Sequence, residues 1–213
     1  MAHVPTKDIR TLGEIGFAEK LREAREPNGD YDAEKWLFVP NCYTEYRYIL
    51  GTTGKTPLIC VGINPSTAAP ERLDPTLQSV QRIALGNGFD SFIMFNVYAQ
   101  RATSPNDMEQ ECNAELHREN MRAFEYILSL SPAPVVWAAW GNIIEKRAYL
   151  FDCLADMIAL GERFGAQWVS AGKRSVRGHP HHPLYLRADT PVEPFDAAAY
   201  LARQPEQKKP RTT

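Results

Sequence analysis

The sequence lacks several features that would place the protein in well-defined classes. No apolar run approaches the roughly 20 residues of a membrane-spanning helix, and the start, MAHVPTKDIR, lacks the apolar core of a secretory signal. The four cysteines are far apart, and no glycine pattern for phosphate or dinucleotide binding is present. Adjacent His181 and His182 are poorly placed to share a metal. We therefore expect a cytoplasmic protein with reduced thiols and no metal or cofactor.

An excess of charge of one sign is also missing, since 24 basic and 26 acidic residues give a net charge of −2. The distribution is uneven, however, because segment 163–187 contains five Arg or Lys residues, three His and no Asp or Glu. This segment could hold DNA phosphates or be a solvated loop. The candidate contacts to the DNA backbone are Lys173, Arg174, Arg177, His179 and His181.

The chain of 213 residues, 44% of them hydrophobic, is long enough for one α/β domain with extensions. Helical spacing predicts an N-terminal helix over 12–25, and TEYRYILG predicts a short edge strand. Four apolar runs predict core strands over Pro57–Ile63, Ser91–Val97, Pro134–Trp140 and Gln167–Ala171. Helices are predicted between them, near 74–85, 107–130 and 143–160.

The alternation of apolar strands and helices predicts a three-layer α/β sandwich with a central, mainly parallel, four-stranded sheet. We expect residues 1–42 to form a helical extension, 43–190 the domain, and 191–213 a C-terminal extension, with 204–213 disordered. The protein is expected to be a monomer. In such sheets the carboxyl ends of the strands lie at one edge, where ligands bind.

Polar residues stand at all four predicted strand ends. The ends carry Gly62-Ile63-Asn64-Pro65-Ser66, Asn96, Trp140-Gly141-Asn142 and the loop from Gly178 to Leu184, which contains His182. Each has an ordinary structural explanation as well: turn chemistry for the first, backbone hydrogen bonding for Asn96, a helix cap for Asn142 and a plain turn for His182. Four such ends together favour a shared site.

These motifs resemble the uracil-DNA glycosylase superfamily, in which G-x-N-P, a strand-ending Asn, W-G and an H-P loop occur in this order. Additional motifs, among them Tyr46-Arg47-Tyr48 and Arg101-Ala102-Thr103, resemble more narrowly a bacterial and phage domain family of unassigned function. The narrower resemblance runs from about residue 43 to 186. It implies the glycosylase-like fold, DNA as the partner and the excision of a base.

The resemblance also implies roles for individual residues. Asn64 would orient the attacking water, Asn96 would read the base edge, and His182 would stabilise the negative charge that develops on the base. His179 is an alternative to His182, because the loop reads H-P-H-H-P-L. Asp74 is the nearest candidate for a general base, although it could equally be the N-cap of the next helix.

One departure from the resemblance concerns Ser66. Strict uracil enzymes have a bulky tyrosine at this position that excludes bases substituted at C5, so serine implies a pocket that admits them. The expected substrate is a modified pyrimidine, conceivably a phage-modified cytosine, which would suggest an antiviral role. Further candidate substrate contacts are Gly62, Ile63, Pro65, Arg47, Tyr48, Arg101, Trp140 and Asn142.

Two other functions remain open from the sequence. The pocket could hydrolyse a free nucleotide or nucleoside, which would predict no salt-sensitive DNA binding. Alternatively, the chain could be an inactive nucleic-acid-binding module that keeps the fold without the chemistry.

Overall fold

A computed structural model describes residues 2–5, 14–27 and 29–204. Its five α-helices are α1 (Phe17–Glu23), α2 (Pro75–Gly86), α3 (Ala114–Leu128), α4 (Tyr149–Arg163) and α5 (Ala197–Ala202). Its strands are β1 (Trp36–Val39), β2 (Ile49–Thr52), β3 (Pro57–Gly62), β4 (Ser91–Asn96), β5 (Val135–Ala138), β6 (Gln167–Ala171) and β7 (Val192–Pro194). Short 3₁₀ turns occupy Pro105–Asp107, Gly141–Lys146 and Pro183–Tyr185.

The seven strands form one mixed sheet in the order β1-β2-β4-β3-β5-β6-β7. Its four central strands, β4, β3, β5 and β6, are mutually parallel. The outer strands β1, β2 and β7 pair antiparallel. After β3 the chain crosses to β4 on one side, and after β4 it returns to β5 on the other side of β3. This reversal produces a crevice at the carboxyl ends of the strands.

Helices cover both faces of the sheet, because the central strands are apolar on both sides. In β3, Ile59 and Val61 pack into a cluster with residues of α1, α3, α4 and α5, whereas Leu58 and Cys60 pack with residues of α2. All six β3 residues are buried. The connections after β3 and β4 therefore leave toward opposite faces, which opens space between them.

Local sequence explains where the two helices nearest the crevice begin. Asp74 caps α2 by accepting a hydrogen bond from the Leu77 N–H at 2.9 Å, and Pro75 occupies the first helical position, which needs no N–H donor. Asn113 caps α3 in the same way, through the N–H groups of Glu115 and Leu116. The cap of α2 places the amino end of this helix at the crevice.

The prediction of a four-stranded sheet was wrong, because the sheet has seven strands. The four predicted strands are present and form its parallel centre. TEYRYILG contributes β2, which is an inner strand between β1 and β4 and not an edge strand. Residues 1–42 and 191–213, expected as extensions, supply β1 and β7 to the same sheet.

The predicted helices are present with different bounds, and α2 has the predicted length but lies one residue later. The segment 107–130 contains the last residue of the turn Pro105–Asp107 and then α3, and 143–160 contains the end of a 3₁₀ turn and then most of α4. The N-terminal helix was predicted over 12–25 but begins at Phe17, and residues 12 and 13 lie outside the described residues. The predicted disordered tail, apart from residue 204, also lies outside them. No helix within the described ranges is long and apolar enough to cross a membrane.

Candidate functional site

A cavity of about 320 Å³ lies at the carboxyl ends of β3 and β4. It is lined by residues that follow β3, by the end of β4, by the amino end of α2 and by the loop after β6. Its walls include the predicted residues Arg47, Gly62, Ile63, Asn64, Ser66, Asp74, Asn96 and His182. The sheet edge thus brings together Asn64, Asn96 and His182, the three side chains on which the predicted chemistry depends.

Asn64 is held by its amide nitrogen. The Nδ2 group donates to the carbonyl oxygens of Ala102 at 2.7 Å and Pro65 at 3.1 Å. A backbone hydrogen bond also holds the loop after β3, since the Ala102 N–H donates to the Pro65 carbonyl at 3.0 Å. With its nitrogen engaged, Asn64 has Oδ1 as its remaining polar atom, which can accept a hydrogen bond from water.

Asn96 is almost fully buried at the end of β4. Its amide is oriented with the nitrogen toward the carbonyl oxygens of Phe95 and Asn64, each 3.3 Å away, because the reverse orientation would oppose oxygen to oxygen. These contacts are long for N–H···O hydrogen bonds. The side chain therefore offers Oδ1 as an acceptor, and its weakly held amide can also donate to a ligand.

Because Gly62 has no side chain, there is space for the Asn96 side chain to face the cavity. A Cβ at this position would lie 2.6 Å from Cε of Met94 and 3.1 Å from the Asn96 amide. A larger residue would therefore require the Met94 side chain and the Asn96 amide to shift. Glycine provides space here, and its role is not an unusual backbone angle.

His182 begins the turn Pro183–Tyr185 and accepts a hydrogen bond at Nδ1 from the Leu184 N–H, 3.3 Å away. The acceptor role of Nδ1 places the proton of the neutral ring on Nε2. Burial lowers the pKa of His182, an effect that the charge of Asp74 opposes and that of His181 reinforces. At neutral pH the ring is therefore an uncharged Nε2–H donor.

The backbone behind His182 is shaped by Gly141, which has φ +59°. A Cβ on Gly141 would lie 3.6 Å from Cβ of His182, so the turn after β5 packs closely on the histidine. The adjacent Asn142 is exposed and lies in a neighbouring groove that it shares with His182. Asn142 caps no helix, and it does not line the cavity.

Asp74 has two functions in this structure. Its Oδ1 caps α2, as the structural interpretation of the sequence predicted, and its carboxylate also borders the cavity. One oxygen therefore remains for a ligand or a water molecule. Its charge reaches both His182 and Arg47.

His179 is fully buried and has structural partners at both ring nitrogens. Trp140 Nε1 donates to the Tyr200 hydroxyl at 3.0 Å, the hydroxyl lies 2.7 Å from His179 Nδ1, and His179 Nε2 lies 2.9 Å from Glu145 Oε1. His179 thus fixes the loop that carries His182 to α5. The prediction that His179 contacts the DNA backbone is incorrect, because the ring has no exposed atoms to offer.

Two predicted substrate contacts also need correction. Trp140 is fully buried among Trp168, Phe195 and Tyr200. Tyr48 is likewise buried, and its hydroxyl bonds to the Ile15 carbonyl. Both rings pack on the face of the sheet that carries α3 and α4, so neither reaches the cavity. Pro65 is buried behind the loop and acts through its carbonyl.

Arg47 and Arg101 are buried guanidinium groups that hold the loop after β3. Arg47 donates to the Ala68 carbonyl at 3.0 Å and lines the cavity, and Arg101 donates to the Ser66 carbonyl. Arg101 does not line the cavity but stacks on Tyr43, 4.3 Å from the ring centre. Within the described residues, Nε of both side chains and Nη2 of Arg101 are buried without hydrogen-bond partners.

Burial lowers the pKa of Arg47 to about 9, an effect that the Arg101 charge reinforces and Asp74 opposes. The charge is thus retained at neutral pH against a desolvation cost. We expect Arg47→Met to leave the free energy of unfolding at neutral pH unchanged or to raise it, since replacing buried ionic groups with apolar residues of similar volume is often neutral or stabilising by ~1–4 kcal/mol. The same variant should lose ligand binding in the cavity.

Denaturant unfolding of wild type, Arg47→Met and the exposed control Arg163→Met tests this expectation. The control should differ from wild type by less than about 0.5 kcal/mol. A loss of more than about 2 kcal/mol in Arg47→Met would show that the hydrogen bond to Ala68 outweighs the cost of burying the charge.

Sequence reasoning missed several apolar and hydroxyl residues of the wall. They are Pro75, Thr76, Leu77, Met94, Ala102, Thr103, Pro105, Ile143 and Leu184. Position relative to the strand ends could have indicated Met94, two residues before Asn96 and on the same face of β4. The N-terminal segment could not be foreseen at this rim. The His3 carbonyl accepts from the Thr103 N–H at 2.9 Å, and the His3 N–H donates to Thr103 Oγ1 at 2.7 Å.

The remaining basic candidates lie beside the cavity and not in it. Lys173, Arg174 and His181 line a neighbouring groove, and Arg174 stacks on Phe195 at 4.9 Å. Arg177 pairs with Glu145. Lys173, Arg174 and Arg177 are exposed, so they remain candidates for contact with phosphates.

The described residues contain one group of acidic side chains close enough to share an ion, which is Glu14, Glu19 and Glu23 at α1. Lys20 neutralises part of this charge, at 3.0 Å from Glu23 and 3.9 Å from Glu14. The group does not border the cavity. All four cysteines are free thiols.

Together, the fold and the cavity define an α/β protein with a small pocket at the strand crossover of a mixed sheet whose centre is parallel. The chain belongs to the family described as Protein of unknown function (DUF1643), whose model matches residues 47–184. This range begins and ends at cavity residues. Searches of curated proteins and of solved structures found no significant match.

Proposed function

We propose that the chain is a DNA glycosylase that hydrolyses the N-glycosidic bond of a modified pyrimidine, with cytosine substituted at C5 as the leading candidate. The observation that supports this most is the convergence of Asn64, Asn96 and His182 on one cavity. Its volume, about 320 Å³, is near the lower end of the roughly 300–1,000 Å³ range of ligand pockets. That size suits a single base.

The side chains divide the proposed reaction among them. Asn64 Oδ1 orients a water molecule, whose oxygen bonds to C1′ of the sugar. The bond from C1′ to the base nitrogen breaks, and its electron pair leaves with the base. The free carboxylate oxygen of Asp74 takes the proton from the water.

The leaving base carries negative charge, which is most concentrated on its oxygen. The Nε2–H of neutral His182 donates to that oxygen, an interaction that strengthens as the charge develops. Asn96 accepts from an N–H on the pyrimidine edge and so positions the base. Such a base must first leave the stack or come from a single strand.

Ser66 supports the choice of a substituted base. It lines the cavity with a small side chain, and the Arg101 hydrogen bond to its carbonyl fixes its position. The proposal includes DNA as the partner and action as a monomer in the cytoplasm. If the base is phage-modified, it also includes an antiviral role.

An oligonucleotide panel tests this function. Purified protein is incubated with DNA containing uracil, a thymine mismatch, hydroxymethylcytosine or glucosylated hydroxymethylcytosine, and abasic sites are revealed by alkaline cleavage. We expect abasic sites at a C5-substituted cytosine and none with Asn64→Ala. Absence of cleavage on the whole panel would overturn the proposal. Release of base from free nucleosides alone would instead favour a nucleoside hydrolase.

A further inference from the structure

The cavity lies between two wider grooves on the same face of the molecule. The first groove, of about 580 Å³, includes His3, Tyr43, Arg72 and Asp74. The second, of about 460 Å³, includes Lys173, Arg174, Val176, His181, His182 and Tyr185. Asp74 also lines the cavity, and so does His182. The three depressions therefore share walls and form one continuous track across the proposed site.

An exposed aromatic ring stands on each side of the cavity. Tyr43 is 52% exposed in the first groove, and Tyr185 is 80% exposed in the second. Arg101 packs against the Tyr43 ring at 4.3 Å and holds it in place while much of the side chain remains open. Tyr185 ends the turn that His182 begins, so its backbone position is linked to that of His182.

Apolar exposure of this kind is concentrated near the track. The described residues contain six exposed large hydrophobic side chains, and three of them, Tyr43, Val176 and Tyr185, line the two grooves. Exposed apolar side chains grouped beside a pocket are consistent with an interaction surface.

The charge of the grooves complements a phosphate backbone. The second groove has Lys173, Arg174 and His181 in its lining and no acidic residue. The first groove has Arg72 and one acidic residue, Asp74. Neither Arg72 nor Lys173 has an ion-pair partner in the described part of the chain. Both cations are therefore available to a ligand.

We infer that the track binds single-stranded nucleic acid, with bases on either side of the cavity stacked on Tyr43 and Tyr185. Arg72, Lys173 and Arg174 contact the phosphates. Open aromatic rings favour a single strand, because its base faces are available for stacking, whereas a duplex buries them. This inference rests on the proposed function, since it assigns the central cavity to a base.

Binding of a fluorescent oligothymidylate to the full-length chain tests the inference without any need for a cleavable base. Fluorescence anisotropy compares this strand with the same strand in a duplex, at low and high salt. We expect the single strand to bind at least 10-fold more tightly than the duplex, and its affinity to fall as salt rises. Equal or tighter binding of the duplex would overturn the inference.

Substitutions locate the binding to the track. Tyr43→Ala and Tyr185→Ala should each weaken binding roughly 5- to 150-fold, the range for loss of one base stack, whereas Tyr43→Phe and Tyr185→Phe should bind as wild type does. Lys173→Ala should reduce both affinity and salt dependence. The matched controls are Leu85→Ala, an exposed apolar residue on α2, and Lys55→Ala, which precedes β3 at the opposite edge of the sheet.

The outcomes separate this inference from the proposed function. Strong single-strand binding that depends on the two tyrosines, with no base excised from any substrate, would support the track and refute the glycosylase. Excision from duplex DNA with unchanged binding in both tyrosine-to-alanine variants would support the glycosylase and refute the track. Loss of affinity in the Leu85 or Lys55 controls would also contradict the assignment.

Discussion

Replacing His182 with glutamine is expected to lower the rate of base excision by about 100-fold, the scale for loss of one oxyanion-type donor. The structure leaves Nε2 of this ring as its donor, because Nδ1 accepts from the Leu184 N–H at 3.3 Å. Glutamine keeps a donor but cannot hold it at the same place. The interaction strengthens as the base becomes an anion, so the loss should appear in kcat with little change in KM.

The pH profile adds a second readout for His182. Because burial lowers its pKa below the ordinary value of about 6.5, the ring is neutral above that pH, and the rate should be flat across the neutral range. The rate should fall only on further acidification, as the ring becomes charged and the Nδ1 acceptor is lost. The part of the acid limb that reflects protonation of His182 should be absent in His182→Gln.

Single-turnover kinetics on the substrate found in the panel measure both effects. His117→Gln is the matched control, since His117 lies on α3, is paired with Asp156 at 2.8 Å and does not line the cavity. It should keep wild-type kcat. A rate that rises as pH falls toward the acid range would show that the imidazolium is the active form and would contradict the assignment.

The parallel centre of the fold could be predicted because its strands have a strong local signal. Pro57–Gly62 and Ser91–Asn96 are buried at every position, so they read as continuous apolar runs between turns. The outer strand β7 has no such signal. β7 has three residues, two of them exposed, and is defined by its pairing with β6. A local sequence pattern does not show which distant segments pair as strands.

The same distinction explains which site residues could be predicted. Asn64 and Asn96 follow adjacent parallel strands, and the topology of such a sheet places their ends together. Trp140 also ends a predicted strand. The sequence does not show that its ring lies on the face that carries α3 and α4, where it donates a hydrogen bond to Tyr200, 60 residues away. Strand position was predictable, whereas side-chain direction was not.

Hydrogen-bond partners, and not the motif, favour His182 over His179 as the candidate for chemistry. His179 has Glu145 and Tyr200 at its two nitrogens, and Glu145 also pairs with Arg177. Only the fold brings these groups together, since Tyr200 comes from a helix in the segment expected to be an extension. His182 retains a free nitrogen and a place in the cavity wall, so it is the better candidate for chemistry.

Ser66→Tyr is expected to reduce the preference for substituted bases that the proposed function assigns to the cavity. The serine lies in the wall of a cavity of about 320 Å³, on a loop fixed by the Arg101 hydrogen bond to its own carbonyl. Because this loop is held, a tyrosine ring must enter the cavity or the mouth of the cavity. Discrimination by a pocket clash commonly reaches roughly 10- to 200-fold in kcat/KM.

Competition between two single-stranded oligonucleotides, one with a C5-substituted cytosine and one with uracil, measures this preference as a ratio. Ser66→Tyr should lower the ratio of their kcat/KM values at least 10-fold, because the clash acts only on the substituent. Ser66→Ala removes the hydroxyl without adding bulk and so measures the hydroxyl's own contribution. Equal losses on both substrates in Ser66→Tyr would show that the ring blocks the cavity as a whole.

If Ser66→Tyr left the ratio of the two kcat/KM values unchanged, the conclusion would be different. It would mean that the C5 substituent points away from the loop after β3, toward the wall formed by α2 and the turn after His182. Thr76 and Leu184 line that side of the cavity, so Thr76→Tyr would then be the informative variant. The pair of variants therefore tests which of these two walls receives the substituent.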